Sequence, residues 1–239
     1  MQLTFASYNI HKAVGLDGRR NPDRILAVLH EIGADVVAVQ EVDRRFGRRE
    51  SVLPRQALEE HGWCPAPCRT RADSIGWHGN AILVRRGIEI VGAEPIELPR
   101  LEPRGAVCAH LRVEGKPLHV AGMHLDLSGI RRMHQIDAVR AHMSGRKGPG
   151  VLMGDFNEWS PRAKCFAAFG DGWTVLAPGR SYPSRRPLAQ LDRIVHSHGW
   201  TCEGARVHHS ALAAVASDHL PVIAKLTFSA SNLGILPLG

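Results

Sequence analysis

Short, almost continuously apolar runs are the feature that most limits how this chain can fold. The run ADVVAVQ, Ala34–Gln40, is typical: it has the composition of a strand that is buried on both faces. The predicted strands are Leu3–Ile10, Ala34–Gln40, Ala81–Val84, Ile88–Ile96, Ala106–Val113, Leu118–His124, Val151–Gly154, Leu191–His196 and Val222–Phe228. No run approaches the roughly 18 apolar residues that a transmembrane helix needs. We therefore expect a fold built on buried strands, without insertion into a membrane.

Helical patterns lie between several of these runs. Asn21–Ile32 begins with a good N-cap followed by proline at the first helical position. Ser128–Met143 has helical spacing and is followed by Gly145 as a stop. The residues expected on the buried side of this second helix are Ile130, Met133, Ile136, Ala138 and Met143. A third, short helix is expected to start at Ser160-Pro161, so the chain is predicted to be α/β with mixed sheets.

Composition favours a single folded unit. The chain has 239 residues, 44% of them hydrophobic and 22% charged, which is typical of a globular protein and allows a large core. We expect one domain over residues 1–228 and a loosely held tail over residues 229–239. The N-terminal stretch has no basic start, which argues against a signal peptide, and we expect a cytoplasmic protein. We also expect it to be a monomer. The five cysteines are scattered, so reduced thiols are expected rather than disulfides or a zinc site.

Polar clusters repeatedly follow the predicted strands, at the positions where α/β folds build their sites. The segments are YNIH at residues 8–11, VQEV at 39–42, GMHLD at 122–126, GDFN at 154–157, LDRIV at 191–195 and ASDHLPV at 216–222. Each segment alone has an ordinary explanation, such as a turn or a solvated carboxylate. Together they supply carboxylates, amides and imidazoles without cysteine, which is the ligand chemistry of a hard cation such as Mg²⁺ or Mn²⁺. Glu41 is the best direct ligand, and the arrangement favours metal-assisted hydrolysis of a phosphate ester.

The same segments, in this order, resemble the signature of the endonuclease/exonuclease/phosphatase (DNase I-like) superfamily. The resemblance spans residues 3 to about 228 and rests on Asn9, Glu41, the GDFN segment, Asp192 and the pair Asp218-His219. That superfamily includes DNase I-like nucleases, exonuclease III-like repair enzymes, neutral sphingomyelinases and inositol-polyphosphate 5-phosphatases. The resemblance implies a four-layer α/β sandwich, in which two mixed β-sheets pack face to face with helices outside.

The resemblance also implies roles for individual residues. Asn9, Glu41 and Asp218 would hold the metal, and Asp155 and Asn157 would orient the attacking water and the phosphate. Asp192 and His219 would form a pair that acts as a general base or contacts the phosphate, two alternatives that the sequence leaves open. His124 matches a second histidine of the DNase I-like and sphingomyelinase-like branches, which argues mildly against an abasic-site repair enzyme.

Two further positions are predicted to bind substrate. Asn80 stands at the start of a strand that often faces the site in this superfamily, and it could orient His124 or touch substrate; a purely structural role is an equal alternative. Arg104 could bind a phosphate through two hydrogen bonds, against the alternative of an ordinary surface arginine. Asp126 could pair with His124, but a solvated loop carboxylate is the simpler interpretation.

The substrate class is less constrained than the chemistry. A formal charge of +7 and basic clusters at Arg44-Arg45, Arg48-Arg49 and Arg185-Arg186 favour a polyanion, although a solvated basic face is the default interpretation. Trp77 and Trp159 could stack on bases or on a lipid headgroup, or simply pack. The leading hypothesis is a metal-dependent nuclease acting on nucleic acid. The alternatives are a phospholipid phosphodiesterase or small-molecule phosphatase and, from a different class, a non-catalytic binding protein on the same scaffold.

Overall fold

The computed structural model describes residues 1–44, 47–48, 50–68, 73–99, 105–160 and 163–229. Its strands are β1 (Gln2–Asn9), β2 (Val36–Gln40), β3 (Trp63–Pro65), β4 (Ala81–Arg85), β5 (Glu89–Ile96), β6 (Gly105–Val113), β7 (Lys116–His124), β8 (Gly150–Asp155), β9 (Trp173–Leu176), β10 (Asp192–Ser197), β11 (Trp200–Val207) and β12 (Val222–Phe228). Its helices are α1 (Pro22–Ile32), α2 (Arg55–Glu60), α3 (Gly129–Met143) and α4 (Ala213–Ala216), with 3₁₀ turns at His11–Ala13 and Lys164–Phe169. Each predicted strand is present, within two residues of its predicted ends.

The strands form two mixed sheets of six. Sheet 1 has the order β11-β12-β1-β2-β4-β3, and sheet 2 has the order β5-β6-β7-β8-β10-β9. Each sheet has one parallel pair near its centre, β1 with β2 and β7 with β8, and the other pairs are antiparallel. Strands β3, β9 and β11, which sequence analysis missed, all lie at sheet edges. An edge strand buries less of its side chains, so its sequence carries little apolar periodicity.

Three apolar clusters fill the interfaces between four layers, in the order helices, sheet 1, sheet 2, helices. The central cluster lies between the sheets and includes Phe5, Ala38, Ile82, Val120 and Met153. A second cluster joins sheet 1 to α1 and α4, and a third joins sheet 2 to α3 and the second 3₁₀ turn. This arrangement confirms the predicted four-layer α/β sandwich. The sheets approach closely at Gly122, where a Cβ would lie 3.1 Å from the Cβ of Ala38.

The N-cap and the first-turn proline predicted for α1 are both present in the structure. The Asn21 side chain accepts a hydrogen bond from the Arg24 N–H, Pro22 occupies the first turn, and Gly33 closes the helix in the left-handed conformation. Such a cap typically stabilises a helix by about 1 kcal/mol. One face of α1 is buried against sheet 1, which brings the preceding loop, residues 11–20, alongside the end of β1.

The predicted apolar face of α3 is partly wrong. Ile130 and Met133 are exposed, whereas Arg132 and Gln135 are buried. Both buried side chains have polar partners: Arg132 pairs with Glu158 at 2.5 Å, and Gln135 accepts a hydrogen bond from the Asp126 N–H. Helical spacing alone does not show that loop partners will neutralise polar residues on the inner face.

The short helix predicted to start at Ser160-Pro161 is also corrected. A 3₁₀ turn begins instead at Lys164, and Pro161 lies outside the described residues. Serine followed by proline is a weak helix start when no long amphipathic pattern follows it. The predicted tail, apart from Ser229, likewise lies outside the described residues. No helix in the described ranges is long and apolar enough to cross a membrane.

Candidate functional site

The candidate site lies at one edge of the sandwich, where functional side chains from both sheets meet. The parallel strands β1 and β2 end there, at Asn9 and Gln40, and the parallel strands β7 and β8 end there at His124 and Asp155. The antiparallel strands β10 and β12 begin at the same edge. Polar segments that are far apart in sequence are therefore neighbours in space.

Sheet register aligns three of the predicted residues. His124 of β7 pairs with Asp155 of β8, which pairs in turn with Asp192 of β10. Directly paired residues point to the same face of a sheet, so the three side chains project together. Gly154 permits this close pairing, because a Cβ there would lie 2.0 Å from the Met123 carbonyl oxygen. The glycine of GDFN is thus required by the backbone of the neighbouring strand.

The buried carboxylate of Asp155 is the centre of the site. Its Oδ2 atom accepts a hydrogen bond from Asn9 Nδ2 at 3.1 Å and lies 3.3 Å from His124 Nε2. The same oxygen is 3.7 Å from His219 Nε2. The other oxygen, Oδ1, accepts from the Asn157 N–H at 2.9 Å, which closes a turn. Asp155 therefore links β1, β7 and the loop before β12.

A second buried pair lies beside it. His219 Nδ1 donates to Asp192 Oδ2 at 2.9 Å, and the Ser181 hydroxyl donates to the same oxygen at 2.5 Å. Because the carboxylate only accepts, His219 carries a hydrogen on Nδ1 and directs Nε2 towards Asp155. Burial by itself lowers the pKa of His219, but the charges of Asp192 and Asp155 outweigh it and raise the pKa to about 10. The imidazole is therefore positively charged at neutral pH.

Glu41 follows β2 in a left-handed backbone conformation, with φ of 58°. Such strain in a residue other than glycine costs of order 1–3 kcal/mol and is common at functional sites. The Glu41 carboxylate is partly exposed and forms an ion pair with the Lys12 ammonium. Burial raises its pKa, but His124 and Lys12 more than compensate, and the pKa falls to about 2. Glu41 is thus an ionised carboxylate that already faces a cation.

The loop before β12 completes the site. The Ser217 hydroxyl donates to the Asn9 carbonyl at 2.7 Å, which fixes this loop against β1. Asp218 is partly exposed, and its Oδ1 lies 3.9 Å from His11 Nδ1. The negative charge of Asp218 also contributes to the raised pKa of His219. Asp218 and Glu41 are therefore the carboxylates of the site that are open to solvent.

The remaining predicted residues differ in their placement. Asn157 lies within the site and donates from Nδ2 to the Leu125 carbonyl at 2.9 Å. Asn80 is buried behind Glu41, and its Nδ2 donates to the Gly105 carbonyl at 3.0 Å, so that it ties sheet 1 to sheet 2. Asp126 does not pair with His124 in the contacts described; its Oδ1 accepts from the Ser128 N–H. Arg104 lies outside the described residues.

The structure brings most of the predicted residues together, while their chemical roles stay predictions. The residues joined in this network are Asn9, Glu41, His124, Asp155, Asn157, Asp192, Asp218 and His219. Sequence reasoning missed Lys12, His11, Ser181 and Tyr182. His11 and Lys12 could have been predicted from the sequence, because they closely follow Asn9 at the end of its strand. Ser181 and Tyr182 could not, because their loop has no strand pattern and approaches the site only in the folded chain.

The donor atoms of the site fit a hard divalent cation. Asn9, Glu41 and Asp218 offer oxygen donors, and Glu41 already holds the positive charge of Lys12. A second possible set is Asp155, Asp192 and His219, whose ligand atoms lie within 4.8 Å of one another. Those three are buried, and Asp155 Oδ2, Asp192 Oδ2 and His219 Nδ1 are already paired with one another or with Asn9 and Ser181, whereas Asp192 Oδ1 is buried with no hydrogen-bond partner among the described residues. The more exposed oxygen set around Glu41 therefore has the greater capacity for a new ligand.

Comparison with known proteins identifies the family of this chain. The sequence profile described as "Endonuclease/Exonuclease/phosphatase family" matches residues 6–219. The chain belongs to this family. Its members are phosphoester hydrolases that depend on a divalent metal, and the Asp155, Asp192 and His219 cluster is present here. No curated protein matched the sequence significantly.

Solved structures of the endonuclease/exonuclease/phosphatase family share the fold. One, from Beutenbergia cavernae DSM 12333, is 22% identical, with a TM-score of 0.71, and the match covers 95% of this chain and 72% of that one. The human Nocturnin catalytic domain with bound sulfate anion is 20% identical, with a TM-score of 0.72 and 95% of each chain covered. D. rerio TDP2 complexed with single strand DNA product is 16% identical, with a TM-score of 0.72 and 95% and 99% covered. At these identities the similarity establishes the fold.

Proposed function

We propose that this protein is a metal-dependent phosphodiesterase that hydrolyses nucleic acid, with Mg²⁺ or Mn²⁺ as its ion. The observation that carries the proposal is the position of His219, held between Asp192 at 2.9 Å and Asp155 at 3.7 Å beside an oxygen-rich group of donors. A charged, oriented imidazole next to a cation site suits a negatively charged phosphodiester.

Asn9, Glu41 and Asp218 would hold the ion. When bound, a divalent cation polarises a phosphoryl oxygen and stabilises the negative charge that develops on it. The role of Lys12 follows from its contact with Glu41: its ammonium neutralises that carboxylate until the cation binds there. Lys12 is then free to turn towards the substrate phosphate.

The other polar residues orient and stabilise the reacting groups. His219 carries positive charge and lies 3.7 Å from Asp155, so a phosphate bound by His219 would lie beside a water held by Asp155. Asp155 accepts hydrogen bonds and is suited to orient an attacking water, while Asn9 and the Asn157 N–H hold its two oxygens in place. The raised pKa favours His219 as a phosphate contact or proton donor over a general base.

An aromatic path that starts at the surface favours a nucleotide substrate. Trp159 follows Asn157 closely and is 63% exposed. Its ring lies 6.3 Å from that of Tyr182, and the Tyr182 ring lies 4.8 Å from that of His219. A base can stack on an exposed indole while its phosphate meets His219. Trp77, in contrast, is half-buried and packs on His78 at 4.3 Å, so it offers no such platform.

Basic residues also follow or precede site residues in the sequence. Arg185 and Arg186 lie in the loop that carries Tyr182, and Arg44 and Arg48 follow the Glu41 segment. The positive net charge of +7 is consistent with contacts along a phosphate backbone.

A phospholipid is the second candidate, because several large apolar side chains are exposed on segments that follow β7 or lie in the loop of Tyr182. Leu127 is 66% exposed, Ile130 is 69% exposed and Leu188 is 58% exposed. Leu127 and Ile130 follow the strand that ends at His124, and Leu188 bonds through its N–H to the Tyr182 carbonyl. Apolar side chains at the mouth of a site can contact lipid tails.

One assay separates these candidates. Purified protein with Mg²⁺ or Mn²⁺ is incubated with single- and double-stranded DNA, RNA, sphingomyelin vesicles and inositol phosphates, and the products are resolved. We expect cleavage of nucleic acid that His219→Ala abolishes. Cleavage confined to sphingomyelin or inositol phosphates would replace the nuclease proposal. Tight binding without turnover of any substrate would identify a non-catalytic binding protein.

A further inference from the structure

A second group of titratable side chains lies on the outer face of sheet 2, away from the candidate active site. It consists of Glu94 of β5, Cys108 and His110 of β6, His119 of β7 and His142 near the end of α3; we call it the histidine–cysteine cluster. Strand register builds it: Glu94 pairs with Cys108, and His110 pairs with His119. His119 precedes His124 by five residues on β7, which places the cluster about 17 Å from the active-site edge.

A chain of hydrogen bonds sets the orientation of His110. His119 Nε2 lies 3.0 Å from the Lys147 carbonyl, which can only accept, so His119 carries its hydrogen on Nε2 and presents a lone pair on Nδ1. His110 Nδ1 lies 2.8 Å from that lone pair and therefore donates to it. A neutral His110 is consequently left with a lone pair on Nε2. This atom points at Glu94 Oε1, at 3.0 Å.

Several side chains with lone pairs therefore lie close to Glu94 Oε1. His142 Nε2 is also 3.0 Å from Glu94 Oε1. One ligand atom from each of Glu94, Cys108 and His142 lies within 4.8 Å of the other two. Lone pairs this close together repel one another unless a proton or a cation lies between them. In the structure Arg146 supplies the cation, with NH2 at 2.6 Å from Glu94 Oε1 and 2.9 Å from His142 Nε2.

We propose that the histidine–cysteine cluster is a second metal site, one that takes Zn²⁺ or a similar borderline cation. Three of the ligands are Glu94, Cys108 and His142, whose ligand atoms lie within 4.8 Å of one another. His110 Nε2, which lies 3.0 Å from Glu94 Oε1, would move in as the fourth ligand. Bonds of about 2.0–2.3 Å in a tetrahedral zinc site place the ligand atoms about 3.3–3.8 Å apart. The two histidine nitrogens lie 3.0 Å from Glu94 Oε1, and the Cys108 sulfur lies within 4.8 Å of the Glu94 and His142 ligand atoms. Binding would therefore need the sulfur to approach by up to about 1 Å.

The proposed site also has the outer contacts that zinc ligands usually have. A ligating histidine normally uses its second ring nitrogen to bond an acceptor, which fixes its tautomer. His119 does this for His110 and is itself fixed by the Lys147 carbonyl, so His119 is a positioning residue. Zinc would take the place of the Arg146 guanidinium, and the Cys108 thiol would release its proton to solvent as the sulfur–metal bond forms. Arg146 follows α3 and is partly exposed, so its side chain can swing away.

Donor chemistry separates this site from the active site. Thiolate and imidazole ligands favour zinc, whereas Mg²⁺ binds oxygen donors. Bound zinc would join β5 and β6 to the end of α3, and it would stabilise the fold by binding the native state alone. The inference does not depend on the proposed function.

The test measures zinc and cobalt binding directly. Purified full-length protein is stripped with EDTA, dialysed into excess Mg²⁺ so that oxygen-rich sites are filled, and loaded with Zn²⁺. We expect one zinc per chain after removal of free metal, a higher melting temperature, and a sulfur-to-metal charge-transfer band when Co²⁺ replaces Zn²⁺. Cys108→Ala should lose the band, and His142→Gln should lose the retained zinc. His119→Ala should weaken binding about 10- to 100-fold.

Two matched variants sharpen the result. Cys202→Ala alters another free cysteine, in sheet 1, and should retain zinc and the cobalt band. Arg146→Met removes the competing guanidinium and should retain zinc or bind it more tightly. If instead the wild type retains no zinc, or Cys108→Ala and His142→Gln both fold and retain it fully, the histidine–cysteine cluster is a salt-bridge network and the proposal is wrong.

Discussion

The two polar clusters of this protein are assembled in different ways. The candidate active site gathers residues from the ends of strands in both sheets, around the carboxylate of Asp155. The histidine–cysteine cluster takes residues from the middle of neighbouring strands of one sheet and from one helix, around the carboxylate of Glu94. Both carboxylates face imidazoles, yet only the first cluster is surrounded by further oxygen donors.

This difference matters because the donor atoms of a site determine which cation it binds. Around Glu41, the nearby amide and carboxylate oxygens suit a hard ion that keeps some of its water. Around Glu94, sulfur and nitrogen donors suit an ion that binds them strongly. Changes at the candidate active site should therefore affect catalysis, and changes at the histidine–cysteine cluster should affect zinc retention and stability.

Glu41→Gln should have the largest effect on activity. It removes the charge that holds the hard cation while keeping the shape of the side chain. A bound cation stabilises a phosphoryl transition state by several kcal/mol, so we expect kcat/KM at limiting Mg²⁺ to fall about a thousandfold or more. Circular dichroism should show an unchanged fold. Glu89→Gln, at an exposed glutamate paired with Arg112, is the control and should retain activity. Near-normal turnover in Glu41→Gln would remove Glu41 from the metal site.

Changes to the Asp192–His219 pair should have the next largest effect. A positioned proton donor or acceptor is typically worth about 10²–10⁴ in rate, so Asp192→Ala and His219→Ala should each lose about that factor in kcat. The double variant should be little worse than the worse single variant, because groups that act as a unit are non-additive. The measurement is kcat for all three at saturating Mg²⁺. Losses that multiply would show that the two residues act independently.

Trp159→Ala should have a smaller effect, on substrate binding rather than on chemistry. Stacking of a base on an aromatic ring is worth about 1–3 kcal/mol, so KM for single-stranded DNA should rise about five- to a hundredfold with kcat nearly unchanged. Trp159→Phe should restore most of the affinity. If KM is unchanged for nucleic acid in Trp159→Ala, this indole is not the platform for a base.

The last prediction concerns the stability of the metal-free protein, where each pH unit should change little. The pKa of His219 is about 10 in the fold, above its ordinary value of 6.5. Its stabilising contribution is therefore complete below pH 6.5 and is lost as the pH rises towards 10. The free energy of unfolding should fall by at most about 1.4 kcal/mol per pH unit from this group in that window. His219→Gln should remove this slope, whereas His30→Gln, on the exposed face of α1, should keep it. If the free energy of unfolding depends on pH equally in the wild type and in His219→Gln, the raised pKa of His219 is contradicted.

The sequence by itself determined the α/β class with mixed sheets and most residues of the candidate active site, whereas the four-layer arrangement was implied by the resemblance to the superfamily. Buried strands such as Val36–Gln40 reveal themselves through continuous apolar runs, because every face must be covered. Polar residues that directly follow such strands, such as Glu41 and Asp155, stand out against those runs, and parallel strands bring their ends to one edge. Edge strands such as Trp173–Leu176 bury less and could not be recognised in this way.

Only the tertiary structure decided which polar residues become partners across long distances in the sequence. Ser181 reaches Asp192 through an irregular loop, and Lys12 reaches Glu41 through a turn of left-handed residues, neither of which has a periodic signal. The histidine–cysteine cluster depends on the register of β5 against β6 and β7 and on where α3 ends. Register and helix placement are set by the packing of the whole core, so isolated residues such as Cys108 and His142 reveal no pattern until the chain has folded.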